Sequence, residues 1–319
     1  MPVASLQRAR INPVYSSYFA DPFVWKHKEL YYAVGTGELE AAGHVIGKVF
    51  PLLDSPDLVQ WQSAGSALVR PDPGLGATFW APEVCCENDK FYLYYSVGHG
   101  DKNHQLRVAV SDEPRGPYFD MGKSLLDPNS CPFAIDPHPF RDLDGQWYLF
   151  YARDFLDSPG VTRPGTALMV ARMMRMDQLE NEGIVVLRAR SDWQLFEPNR
   201  LMYGRRWDWH TLEGPCVHNH EGRYYCFYSG GRWETESYGV DYGISDHVMG
   251  PYSDAGNESG PRVLHTIPNQ LLGPGHNSII TGPDNSDYIV YHAWDKQMKA
   301  RKMCIDKLLW TVDGPRCQY

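Results

Sequence analysis

The sequence predicts an all-β chain folded as a five-bladed β-propeller. Three observations carry this expectation. A hairpin-like segment recurs five times, two further strand-like stretches follow each hairpin, and no long amphipathic helix interrupts the pattern. An aromatic content of 13% suits strands, and 29 glycines with 24 prolines supply many turns. An open β-sandwich explains the even spacing less well.

Each copy runs from a polar or acidic residue through a Pro or small residue into a short apolar stretch. A polar turn and an aromatic-rich strand follow. The first copy is Ala20-Asp21-Pro22-Phe23-Val24, a turn at His27 to Glu29, then Leu30 to Val34. The second is Trp80-Ala81-Pro82-Glu83-Val84, a turn at Asn88 to Lys90, then Phe91 to Ser96. The third is Ile135-Asp136-Pro137, a turn at Asp142 to Gly145, then Trp147 to Tyr151. The fourth is Glu213-Gly214-Pro215-Cys216-Val217, a turn at Glu221-Gly222, then Tyr224 to Ser229. The fifth is His276-Asn277-Ser278-Ile279-Ile280, a turn at Gly282 to Asn285, then Tyr288 to His292. By turn chemistry each pair is a hairpin. With two further strands per repeat, as at Gln105 to Ser111 and Gly122 to Leu126, the chain 1–319 reads as one propeller domain. Met176 to Glu182 reads as a turn of helix.

Net charge and patterning remove several function classes. The chain carries −9 and has no Lys/Arg run, so no nucleic-acid partner is expected. No stretch approaches the ~18 consecutive apolar residues of a membrane helix. Met1 to Asn12 lacks the apolar region of a secretory signal, and the seven cysteines form no CxxC pair. The expectation is a reduced, cytoplasmic protein. Cys216, His218 and His220 alternate onto one strand face. They lack a second cluster at zinc spacing and are not read as a metal site.

In a propeller the first strand of every blade lines the central channel, so equivalent positions converge. Those positions hold Asp21, Glu83 (or Trp80), Asp136, Glu213 and His276. Carboxylates are rarely buried without a partner or a task. Glycosidic hydrolysis needs two carboxyls, one giving a proton to the leaving oxygen and one acting on water or on the sugar carbon. A third can hold the first protonated, because like charges raise a pKa. Asp21, Asp136 and Glu213 supply such a trio. Asp-Pro is also a common turn dipeptide, so Asp21 or Asp136 alone would read as structural. Their repetition at matching places favours function.

These residues resemble glycoside hydrolase family 43. The resemblance rests on Ala20-Asp21-Pro22, Trp80-Ala81-Pro82-Glu83, Ile135-Asp136-Pro137 with Gly145 to Leu149, Glu213-Gly214-Pro215, and Gly273-Pro274-Gly275-His276-Asn277. It spans about Asn12 to Trp310. It implies a five-bladed propeller and an inverting mechanism, with Asp21 as general base, Glu213 as general acid, and Asp136 tuning and orienting the acid. Members of that family hydrolyse arabinans, arabinoxylans or xylo-oligosaccharides. In some, the late His contacts a bound calcium completed by waters, which implies Ca2+ near His276. As a residue on its own, His276 reads equally as a hydrogen-bonded core histidine. Phe79 and Trp80 are expected as subsite walls, Glu83 beside them, and Arg232 and Trp233 after the acid's hairpin.

The insertions Gly35 to Val49, Gly98 to His104, Phe155 to Pro164 and Gly231 to Tyr238 could wall a pocket. Together with the cytoplasmic expectation they favour exo action on short xylo- or arabino-oligosaccharides, as a β-xylosidase or α-L-arabinofuranosidase. An endo-1,5-α-L-arabinanase and a non-catalytic carbohydrate-binding propeller are the alternatives.

Overall fold

The computed structural model describes residues 12–37, 47–256 and 259–319. Most of the expected Gly35 to Val49 insertion lies outside the described residues. The strands form five sheets in chain order, antiparallel except for one parallel contact within the third. The first holds β1 (Ala20–His27), β2 (Leu30–Thr36), β3 (Lys48–Ser55) and β4 (Gln62–Val69). The second holds β5 (Thr78–Glu87), β6 (Lys90–His99), β7 (Lys102–Ser111) and β8 (Phe119–Ser124). The third is built on β9 (Ala134–Arg141), β10 (Trp147–Phe155) and β11 (Gly165–Arg175). It adds β12 (Gln178–Leu179), β13 (Ile184–Arg188), β14 (Leu195–Met202) and β15 (Arg205–His210). The fourth holds β16 (Leu212–His220), β17 (Arg223–Gly230) and β18 (Gly239–Ser245). The fifth holds β19 (Leu272–Thr281), β20 (Asp287–Trp294), β21 (Arg301–Thr311) and β22 (Gly314–Gln318).

All five expected hairpins pair antiparallel. The first strands touch in sequence: β1 meets β5, β5 meets β9, β9 meets β16, β16 meets β19, and β19 returns to β1. The arrangement is propeller-like. The strand count differs from four per repeat: the third sheet has seven strands and the fourth has three. Isolated bridges, Val240 to Leu264 and Ile244 to Ser253, extend the fourth sheet beyond β18. Met176 to Glu182 holds turns and β12 rather than helix.

The core explains why the strands read as apolar runs. Five clusters lie between neighbouring sheets. In β2, Tyr32 and Val34 pack toward the second sheet while Tyr31 and Ala33 pack toward the fifth. Successive side chains leave a strand on opposite faces, and here both faces are covered. Residues 12–19 close the ring. Val14 and Phe19 donate backbone N–H groups to Met303 and Arg301, and Asn12 bridges Ile305 and Asp306.

Candidate active site

Each first strand breaks its ladder at the motif. The pairing skips two residues at Asp21-Pro22, Ala81-Pro82, Asp136-Pro137, Gly214-Pro215 and His276-Asn277. The first residue of each pair has positive φ: 48° at Asp21, 47° at Ala81, 58° at Asp136, 55° at Gly214 and 50° at His276. Such bulges re-aim side chains, and at the four non-glycine positions the conformation costs ~1–3 kcal/mol that the surroundings must hold. The neighbouring sheet provides the hold. The bulge N–H groups of Asp21, Ala81, Gly214 and His276 are accepted by His292, Thr36, Asp136 and Ser229 respectively, at 2.7–3.1 Å. A donor that left its ladder is thereby satisfied. Gly214 has a further reason to be glycine, since a Cβ there would stand 3.1 Å from Nδ1 of His276.

The bulges correct the sequence equivalence. Asp21, Ala81, Asp136, Gly214 and His276 are the matched positions. Trp80 and Glu213 match one another, one residue earlier, and Glu83 lies two residues later.

Asp21 is buried beside three basic side chains. Its Oδ1 lies 3.3 Å from Arg301 Nη1, 3.2 Å from His292 Nδ1 and 3.5 Å from His276 Nδ1. Burial opposes its ionisation, but Arg301 and the imidazoles outweigh it and hold the carboxyl well below the ordinary range. Burial also lowers both imidazoles, His292 to about 4, so at neutral pH Arg301 is the cation responsible. Arg301 donates to the Tyr18 hydroxyl from Nε and Nη2, and its guanidinium lies 4.4 Å from the Trp233 ring centroid.

Glu213 has the opposite setting. Burial pushes its carboxyl up to about 7, while the Tyr238 hydroxyl, donating to Oε1 at 2.7 Å, pulls the other way. Asp136 is pushed well above the carboxylate range by burial, by Glu213 and by Asp21, against the bond that its Oδ2 accepts from the Gly214 N–H. The perturbation was expected to run from Asp136 to Glu213. Here both are raised: burial and Asp21 raise Glu213, and burial, Glu213 and Asp21 raise Asp136. Asp21, Asp136 and Glu213 thus form one electrostatic cluster.

The other expected site residues separate. Trp80 is half-buried and stacks on His104, with centroids 3.7 Å apart. Trp233 is half-buried between Arg301 and Trp294, whose ring is near-parallel to it at 6.1 Å. Arg232 pairs with Glu234 and lies over Phe196. Phe79, expected as a wall, is 5% exposed and packs between Tyr95 and Phe50 in the core of the first two sheets. Glu83, expected beside the substrate, is buried, with Oε2 2.7 Å from His138 Nδ1. His138 Nε2 accepts the Val217 N–H, which fixes the proton on Nδ1, so this pair ties three sheets together.

His276 is a poor centre for a protein-coordinated calcium. Calcium takes six to eight oxygens. His276 offers a nitrogen, and the carboxylate within ion-pair distance, Asp21, is already engaged by Arg301. Water would have to supply most of the shell.

Sequence reasoning missed Arg301, His292 and Tyr238, which set the states of the two key carboxyls. Arg301 and Tyr238 stand outside the repeated motif, and His292 lies in the second strand of its fifth copy, where it reads only as a strand residue. Sequence reasoning also missed the β14–β15 hairpin at the same end of the strands. Arg200 of that hairpin reaches Asp101 at 3.0 Å, Tyr203 donates to Asp154 at 2.5 Å, and Phe196 sits beneath Arg200 and Arg232.

Comparison with known proteins gives the family. The chain is 27% identical to a β-D-galactofuranosidase of Aspergillus niger, over 95% of this chain and 83% of that one. It is 26% identical to an extracellular endo-α-(1→5)-L-arabinanase of Bacillus subtilis, over 92% and 86%. The crystal structure of a thermostable family-43 glycoside hydrolase superposes with a TM-score of 0.80 at 29% identity, covering 97% of this chain and 96% of that one. Residues 11–315 match the model of glycosyl hydrolases family 43, and the chain, a glycosidase by that membership, belongs to this family.

Proposed function

We propose that the chain is an inverting, exo-acting glycosidase that releases xylose or L-arabinose from short xylo- or arabino-oligosaccharides. The five sheets are, on this reading, the five blades of one propeller. The observation that carries the mechanism is the opposite setting of two carboxyls in one cluster. Arg301 keeps Asp21 ionised, and burial keeps Glu213 protonated up to about pH 7.

Glu213 gives its proton to the glycosidic oxygen as the bond to the anomeric carbon breaks. Asp21 takes a proton from the water that attacks that carbon from the opposite side, inverting it. The Tyr238 hydroxyl occupies Oε1 of Glu213, which leaves Oε2 for the transferred proton. Asp136 holds Gly214, next to the acid, by accepting its N–H. Trp80 and Trp233 offer flat faces for a sugar ring. A calcium ion at His276 would be a largely hydrated one, and no step passes through it.

Exo action is supported by the β14–β15 hairpin. Its ties to Asp101, Asp154 and Arg232 give the cleft a wall that a polymer would have to cross. An endo-arabinanase is the second reading, favoured by the similarity to the Bacillus enzyme. A panel of nitrophenyl glycosides with product chromatography on linear arabinan separates them. Release of monosaccharide from chain ends is expected, whereas early release of longer oligosaccharides would establish the endo reading. No turnover of any pentoside would refute both.

A further inference from the structure

The far end of β16 carries a cluster that the glycosidase mechanism does not use. His218 and His220 project from one face of β16, and Asp287 opens β20 of the next sheet. One ligand atom from each of the three lies within 4.8 Å of the others. His218 Nε2 stands 3.6 Å from Asp287 Oδ2. Donors ~2.0–2.2 Å from a tetrahedral zinc are themselves ~3.3–3.6 Å apart, so little movement separates this cluster from a coordination shell.

The surroundings favour the same use. Both imidazoles lie against the Trp310 indole, His218 at 21° and His220 at 7° between ring planes, so their rings are near-parallel to one another. The Trp310 Nε1–H donates to Asp287 Oδ2 at 2.9 Å, and Thr281 Oγ1 donates to Oδ1 at 3.2 Å. Outer partners of this kind orient a ligating carboxylate. All three residues are half-buried, which leaves room for a water as fourth ligand. Cys216, the third member of the sequence cluster, packs instead into the core of the fourth and fifth sheets.

We propose that His218, His220 and Asp287 form a divalent transition-metal site of the kind zinc occupies, pinning the fourth sheet to the fifth. It lies five to seven residues along β16 from Glu213, ~17–23 Å at strand rise, so its task is structural rather than catalytic. Two imidazoles and one carboxylate suit zinc better than calcium.

The test is a titration of chelator-stripped protein with Co2+, followed by its visible d–d absorption, then displacement by Zn2+. Bands saturating at one equivalent, and a thermal midpoint raised by Zn2+, are expected. A His218→Gln/His220→Gln double variant should lose both responses. Asp287→Asn keeps an acceptor for Trp310 and should weaken Co2+ at least tenfold, which decides the matter if the double variant does not fold. Absence of bands at several equivalents of Co2+ would overturn the proposal. So would bands of unchanged affinity in Asp287→Asn, which would place the ion elsewhere. The His–Trp–His cluster would then be packing alone.

Discussion

Tyr238→Phe tests the assignment of the acid. The hydroxyl donates to Glu213 Oε1 at 2.7 Å and favours the ionised carboxylate. A hydrogen bond to a charged group contributes ~1.5–3 kcal/mol, and one pKa unit is ~1.4 kcal/mol, so its loss should raise Glu213 by roughly one to two units. From about 7, the acid should move to roughly 8–9. The phenyl ring can keep its near-parallel stack on His292, with centroids 5.7 Å apart, so the fold should survive. The assay is kcat/KM against pH on an unactivated oligosaccharide, because a good leaving group would bypass the acid. The basic limb should shift upward. At pH 9 the variant should retain about a tenth or more of its own acid-side plateau, against about a hundredth for the parent. A basic limb that stays put, or moves down, would refute the assignment of Glu213 as the titrating acid.

Glu213→Gln should trade activity for stability. The folded pKa is raised from 4.5 to about 7, so the native state binds more protons than the unfolded chain across that window, and stability falls as pH rises through it. Above pH 7 the parent carries a penalty of up to ~3 kcal/mol that Gln removes, so the variant should resist denaturant better at pH 8 and equally at pH 4. The same variant should lose ~10²–10⁴ in rate on natural linkages but much less on a nitrophenyl glycoside. Asp21→Asn should cost both substrates alike, since each needs activated water; a variant that spares the nitrophenyl glycoside would show the two roles reversed. Exhaustive chelation should leave kcat within about twofold, because Glu213 and Asp21 carry both proton transfers and no step passes through an ion at His276; a loss restored by Ca2+ would overturn this.

What the sequence determined is local. Period-two runs of Tyr, Val and Leu bounded by polar turns specify hairpins wherever they occur, and their fivefold recurrence specifies a closed all-β arrangement. Asp21, Asp136 and Glu213 were legible because a repeated motif marks the strand that faces inward. What tertiary structure decided is everything fixed by contact between sheets. Arg301 is 280 residues from Asp21, and Tyr238 is 25 from Glu213, and neither lies in a repeated motif. The one-residue offset of Glu213 from the Asp21 position is written in the motif prolines, since Asp21 directly precedes Pro22 and Glu213 stands two residues before Pro215, but the positive φ that turns Gly214 out of the ladder is not. Phe79 and Glu83 had acceptable chemistry for a pocket, yet Tyr95 and His138, on other strands, claim their faces. Composition marks which residues can ionise or stack. Whether a carboxyl is charged depends on which buried partner stands within ~4 Å, and only the packing of distant strands sets that distance.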